Sequence, residues 1–485
     1  PQKAQKNFKT FLYSTRAWVL TTLRQYIEGS QERGLAEALL IGYKDDLDKT
    51  LVQAYVNTGV VHVIAISGLH LGIIYFILLL VTHPLKKGQL SWLRIGLVIT
   101  ALWLFALLAG AQASVVRSAV MFTAIALGGL LHRKAYIYNT LALSALVLLF
   151  YNPFWLWDAG FQLSYAAVLS IVIFFKPIYN WIYFKNKLID AIWKLMAVTL
   201  AAQLLTLPVS LYHFHQFPVL FFITNLVAVP LSSVILIGEI ILCAVAFLPP
   251  VASFIGSLLE SLIRLMNHVI QQMDAVHFSS WQNISISFWQ AVWLTGIIAG
   301  VGYWLLQKKK SGLHGAAICL LLFVALHTYS IIQTGRQQKL IVYNIPRYQA
   351  VDVMDGHRLF FMGDADAEKD QTLYNFHLAP SRIQHRVKPS VKMFQKAFDL
   401  NGKKVLVLDT TVQLQKEGRP VVDVLILSKN PKLYIHQLQQ SFQLAQVVID
   451  ASVPPWKAAL WQRDCDSLKI NCYNVAQKGA FVMPW

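Results

Sequence analysis

The residues best placed to do chemistry in this sequence interrupt stretches that are otherwise compatible with lipid. VHVIAISGLHLGII at 61–74 sets His62, Ser67, Gly68, His70 and Gly72 inside an apolar run. Polar groups at such depth are costly, so these side chains are expected to face a cavity or a neighbouring helix. Two histidines suggest a metal, but they lie eight positions apart with no carboxylate nearby, unlike the i, i+4 pairing of helical zinc sites. No metal or cofactor is therefore expected, and hydrogen-bonded or path-lining histidines are the better reading. Gly68 and Gly72 form a G-x-x-x-G, which serves close helix packing or, alternatively, a kink that opens backbone to a pore.

Arg117, in GAQASVVRSAVMF, sits a turn or two inside a predicted span, where arginine is expensive. It either snorkels to the interface or stands as a cation able to touch phosphates. Asp158 opens WDAGFQLSYAAV, where an N-cap is its commonest job, and Gln162 and Ser164 follow as uncharged groups suited to a hydrated path. Pro208, and Pro230 after Asn225, remove backbone amides inside apolar runs, which suggests discontinuous helices around a central path.

The elements that must hold these groups are membrane helices. Of 485 residues, 56% are hydrophobic and 14% charged, with mean hydropathy +0.50, against roughly a quarter charged in ordinary globular chains. Spans are expected near 60–82, 92–110, 115–131, 139–157, 160–184, 191–213, 217–248, 286–306 and 313–332. The run 217–248 is long for one span and reads as a broken helix or a re-entrant hairpin, and 251–279 reads as interfacial. Residues 1–56 read as amphipathic helices on a membrane surface, anchored by Trp18 and Tyr26. Residues 57–335 then form a polytopic domain.

Lys and Arg total 42 against 24 Asp and Glu, a net +18, which suits either cytoplasmic-loop charge or a surface attracting a polyanion. Lys86 and Lys87, Arg133 and Lys134, Lys185 and Lys187, and Lys308 to Lys310 alternate with loops lacking Lys and Arg. By that alternation the N-terminal segment and the tail both lie on the extracytoplasmic side.

From about 336 to 485 the texture changes to short β-branched runs, KLIVYNI, HRLFFMGD, KKVLVLD, VVDVLILSK and AQVVID, separated by turn residues. These read as strands of a small α/β or sheet-sandwich domain. Cys465 and Cys472 lie close together there and form a possible disulfide in an oxidising compartment.

HVIAISGLHLGI, SVVRSAVM, NPFWLWDAGFQLSYAAVLSI, LPVSLYHF and TNLVAVP follow one another in the order of the ComEC-type competence family, which residues 35 to 305 resemble. The resemblance implies a channel in the bacterial inner (plasma) membrane that imports single-stranded DNA during natural transformation. It also implies a cytoplasmic helicase-like motor and periplasmic DNA-delivery proteins as partners. No G-x-x-x-x-G-K-[ST] is present, so a motor is expected elsewhere. The OB-like domain that usually precedes this region has no counterpart, and the chain starts at Pro1, so an upstream region is expected to be missing.

The tail resembles a degenerate metallo-β-lactamase-like domain. A working hydrolase of that type needs an H-x-H-x-D-H cluster, which is absent, and Lys429, Asn430 and Pro431 stand where histidines are expected after VDVLILS. Asp364 and Asp366 read as a strand-end turn or, less readily, a hard-cation site. The expected class is thus a mainly α-helical polytopic channel with a small extracytoplasmic α/β domain, and not an enzyme. His62, Ser67, Gly68, His70, Arg117, Asp158, Gln162 and Asn225 are expected to border the strand path. The alternatives are an extracytoplasmic nuclease or membrane hydrolase, and a secondary transporter of a small anion.

Overall fold

A computed structural model describes residues 8–86, 90–131, 136–276, 278–370, 373–388, 391–393, 395–413 and 418–485. Lys87, Arg133 and Lys134 of the orientation argument lie outside the described residues. The chain divides into two compact units, one comprising residues up to Ile284 with Leu294–Ile318, the other Ser285–Trp293 with Cys319–Trp485.

The first unit is helical. It begins with α1 (Phe8–Tyr26), α2 (Ser30–Ile41) and α3 (Lys49–Asn57), then a single turn, α4 (Val61–Ile64), before α5 (Gly68–Val81). There follow α6 (Leu90–Leu108), α7 (Ala113–Leu130), α8 (Ile137–Tyr151), α9 (Ala159–Tyr179), α10 (Lys187–Phe214), α11 (Phe221–Ala244) and α12 (Pro249–Asp274). The helices α13 (Phe288–Gln307) and α14 (Lys310–Gly335) continue the chain. Seven of the described helices, α6, α7, α9, α10, α11, α13 and α14, are long and apolar enough to cross a membrane. The apolar α5 and α8 are shorter, at roughly 21 to 23 Å against a hydrocarbon core of about 30 Å.

The break in helical structure falls at 65–67, between α4 and α5. Pro208 and Pro230 instead lie inside the continuous helices α10 and α11, so 217–248 is neither broken nor re-entrant. Each proline removes one amide and leaves the rest of the ladder intact. Ser170 Oγ of α9 donates to the Ala201 carbonyl of α10 and accepts from the Leu205 amide at 3.1 Å, which ties α9 to α10.

In the N-terminal segment α1 keeps an exposed apolar face, with Phe8, Phe11 and Trp18 outward, while α2 is enclosed. Gly34 to Ile41 of α2 are all buried, because GLAEALLI is apolar on every side except at Glu37, which takes a hydrogen bond from Arg24 Nε at 2.7 Å. α2 ends where Gly42 turns left-handed, at φ 68°, letting its amide and that of Tyr43 close on the Ala38 and Glu37 carbonyls. Asp48 starts α3 by accepting from the amides of Thr50 and Leu51. These helices share one apolar core with α11 and α12. Trp18 is half exposed, as an anchor would be, but Tyr26 packs against that core and its hydroxyl donates to the Ala246 carbonyl. α12 is amphipathic, with Ala252, Gly256, Leu259, Ile263 and Met266 turned inward.

Two short strand pieces, β1 (Phe217–Pro218) and β2 (Ser280–Trp281), pair antiparallel in the first unit. The tail is a separate α/β structure of ten strands among the described residues. One sheet runs β12 (Phe481–Pro484), β3 (Gln338–Val342), β4 (Ala350–Asp355), β5 (Arg358–Gly363), β6 (Val391–Lys392). The other runs β11 (Asn471–Asn474), β10 (Gln443–Ile449), β9 (Val421–Leu427), β8 (Lys403–Leu408), β7 (Ala397–Leu400) and is parallel except at β7. Val342, Val351 and Val353 of the first sheet meet Val405, Val424, Ile426 and Val448 of the second in one core. Helices Ile435–Ser441 and Pro455–Ser467 cover the outer face of the parallel sheet, and Ala365–Lys369 lies on that of the other. Sheet on sheet, flanked by helices, is the layering that alternating buried faces require.

Candidate functional site

The segment 61–74 builds one wall. Ser67 is the N-cap of α5, and His70 replaces the usual acid or amide of a capping box. Its Nδ1 accepts from the Ser67 amide at 3.0 Å and stands 2.9 Å from Ser67 Oγ. His70 is thereby buried and committed to holding the break at 65–67, whereas His62, on α4, is exposed.

α5 lies against α7 through its glycines. A Cβ at Gly68 would stand 2.8 Å from Ser118 Oγ and 2.9 Å from Arg117 Nη2, and one at Gly72 would stand 3.3 Å from the Phe122 ring. The G-x-x-x-G is therefore a packing surface, and Gly68 is the position that lets the guanidinium approach the α5 N-terminus.

Arg117 is 4% exposed, so it does not snorkel. Nη2 donates to Ser118 Oγ at 3.2 Å, Nη1 reaches only the Met121 sulfur at 3.6 Å, and Nε has no partner among the described residues. The guanidinium carbon lies 5.7 Å from the centre of the Tyr165 ring. Among the described residues no carboxylate pairs with it. A guanidinium carries five N–H donors in a planar fork. Here one is given to a hydroxyl and one to a weak acceptor, so most of the fork is unspent.

Tyr165 was not foreseen, yet it joins three helices. Its hydroxyl lies 3.0 Å from Ser144 Oγ of α8, and its ring packs against Phe161. One turn back on α9, Gln162 sends Nε2 to the Leu156 carbonyl at 2.8 Å and sets Oε1 2.9 Å from His213 Nε2 of α10. Asp158 caps α9, its Oδ1 accepting from the Phe161 amide at 2.7 Å. Tyr165 follows Gln162 by three residues in FQLSYAA, the spacing of one helical face, and that was the signal available for it.

Ser67, Gly68, His70 and Arg117 thus come together, and α9 brings Gln162 and Tyr165 to the same helix set. Asn225 lies on α11, which packs on α2 and α12 and also touches α4 and α5. It is buried with Oδ1 unpartnered among the described residues, next to Thr224, whose hydroxyl donates to the Thr58 carbonyl. Among the described residues no group of three or more His, Cys, Asp or Glu side chains is arranged to hold a metal ion.

The profile described as Competence protein matches residues 39–309, and that described as ComEC C-terminal domain matches residues 340–485. The chain belongs to the competence protein family. Among curated proteins it is similar to ComE operon protein 3 of Bacillus subtilis, 32% identical over 229 residues, which is 46% of this chain and 28% of that protein. It is also similar to Recombination protein 2 of Haemophilus influenzae, 27% identical over 303 residues, 59% of this chain and 37% of that protein. The matched region is thus well under half the length of either relative. No solved structure matches.

In the competence-family tail, the loop after β9 is tied down. Lys429 pairs with Asp364 Oδ1 at 2.9 Å, and that carboxylate keeps its ammonium above the ordinary lysine range. Lys457 Nζ donates to Asn430 Oδ1 at 2.8 Å and to the Pro431 carbonyl. Asp364 also accepts from the Gln349 amide through Oδ2, which fits the strand-end turn. Nearby Asp450 is buried, accepts from Ser428 Oγ and the Ser452 amide, and is pushed up to about 7 by that burial.

Proposed function

We propose that this chain forms a channel in the bacterial inner membrane through which single-stranded DNA passes into the cytoplasm during natural transformation. The observation that carries this reading is Arg117, a buried cation in a membrane helix with no described carboxylate to neutralise it and most of its donor fork free. A phosphodiester supplies the missing acceptors, and each passing nucleotide presents the same group whatever its base. The Tyr165 ring beside it adds a flat surface for sequence-tolerant stacking. Gly68, Ser67 and His70 fix the approach of α5, and Gln162 with His213 extends the polar lining along α9.

The charges at Lys185, Lys187 and Lys308 to Lys310 support an orientation with the N-terminal segment and the tail outside the cytoplasm. The tail then meets DNA delivered by extracytoplasmic proteins, and a cytoplasmic helicase-like motor draws the strand inward. The tail works without hydrolysis in this reading, since a lysine ion pair, Lys429 with Asp364, occupies the loop after β9.

The test is deletion in a transformable host with labelled DNA followed in two steps, first into a nuclease-protected outer compartment and then into the cytoplasm. Outer uptake should survive while cytoplasmic arrival stops, and wild type but not a stably inserted Arg117→Ala should restore it. Cytoplasmic arrival in the deleted strain would overturn the channel reading in favour of transport of a small anion.

A further inference from the structure

The tail contains two thiols seated in one apolar cluster that the channel reading does not use. Cys465 lies on the inward face of the helix Pro455–Ser467 with Ala458 and Trp461, and Cys472 lies in β11, paired with Val447 of β10. Between them the chain doubles back, with the Ile470 amide donating to the Cys465 carbonyl at 2.9 Å. Both are free thiols in this structure. Cys465 is 0% exposed and Cys472 7%, and both belong to the apolar cluster that seats the helix on the parallel sheet. The two other cysteines, Cys243 and Cys319, are half-buried in α11 and α14.

We propose that Cys465 and Cys472 are joined by a disulfide in the mature protein. The bond clamps the helix to β11, an edge strand of the parallel sheet, which has a partner on one side only. As the tail folds, each thiol gives up a proton and one S–S bond forms. The two electrons pass by thiol–disulfide exchange to a protein disulfide donor, which leaves as a dithiol. Such donors act outside the cytoplasm, so this inference rests on the orientation given above.

The experiment uses the full chain in its own host. Cells are acid-quenched and free thiols alkylated before lysis, and tryptic peptides are read by mass spectrometry without reductant. Cleavage after Arg463, Lys469 and Lys478 places the two cysteines on separate peptides, Asp464–Lys469 and Ile470–Lys478. Recovery of these as a linked pair, released by reductant and missing in Cys465→Ser, is the expected result, with Cys243 and Cys319 alkylated. Both cysteines alkylated in cells would overturn the proposal. Purified protein exposed to a mild disulfide oxidant then separates the causes: formation of the linked pair would show that the orientation had failed, and its absence would show that the pairing itself was wrong.

Discussion

Two buried arginines, one in each unit, are satisfied in opposite ways. In the tail, Arg382 is locked by a bidentate pair with Asp352, both contacts at 2.8 to 2.9 Å, by Glu368 at 2.8 Å, and by the faces of Phe361 and Tyr374. Tyr343 donates to the same Asp352 at 2.9 Å. In the helical unit, Arg117 is as deeply buried but has a serine, a thioether and a ring face instead of an acid. A satisfied cation stabilises a fold. A cation with unspent donors is kept against its own desolvation cost, which is what the proposed strand path requires of it.

The largest effect expected from this contrast is in the tail. Arg382→Ala strands the Asp352 carboxylate without its cation and should cost about 3–5 kcal/mol of tail stability, seen as faster amide exchange across β3 to β5 while the apolar helices stay protected. DNA uptake should fall only as far as the amount of protein falls. At Arg117 the order reverses: Arg117→Ala should leave thermal stability nearly unchanged or raised, while cytoplasmic arrival of DNA drops by about 30-fold or more, matching loss of a charge-assisted bond worth about 2 kcal/mol. Gly68→Val should reduce uptake through the same guanidinium, because its side chain must displace Arg117 Nη2 and Ser118. The double variant with Arg117→Ala should therefore be no worse than Arg117→Ala alone.

A smaller effect is expected from pH. Asp450, pushed up to about 7 by burial, holds a proton in the folded tail that the unfolded chain releases between roughly pH 4 and 7. Stability contributed by that proton is present below this window and is lost as pH rises through it. His385, held down at about 4 by burial, acts in the opposite sense and loses stability as pH falls from roughly 6.5 to 4. The two effects nearly cancel in wild type between about pH 4 and 6.5, so exchange protection of the β10 amides should stay nearly level there, whereas in Asp450→Asn it should rise over that range. Smallest of all, Tyr165→Phe keeps the ring beside Arg117 and loses only the contact to Ser144, so uptake should change by no more than a few-fold.

Much of this contrast was legible in the sequence, because hydropathy over about 20 residues and period-2 alternation are local signals. The spans at 92–110, 115–131 and 191–213 appear as α6, α7 and α10 within a few residues. Asp158 was readable as a cap because a cap acts within three residues of itself. What escaped was set by partners distant in sequence. α2 looks like a surface helix until α11 and α12 close over it, and Tyr26 looks like an anchor until it meets the Ala246 carbonyl. Pro230 suggests a break only if neighbouring helices do not hold α11 together. Arg117 was singled out by its cost alone. Whether an acid, a ring or nothing stood opposite it depended on α9, forty-odd residues further on, so Tyr165 was missed.

The proposed strand path runs past the Arg117 and Tyr165 pair. It is tested most directly by placing a photo-crosslinking phenylalanine analogue at position 165, and separately at Phe150, which is 91% exposed on α8, and illuminating cells during uptake of labelled DNA. A covalent adduct from position 165 and none from position 150 is the expected result. Continued DNA uptake with no adduct at position 165 would contradict that path.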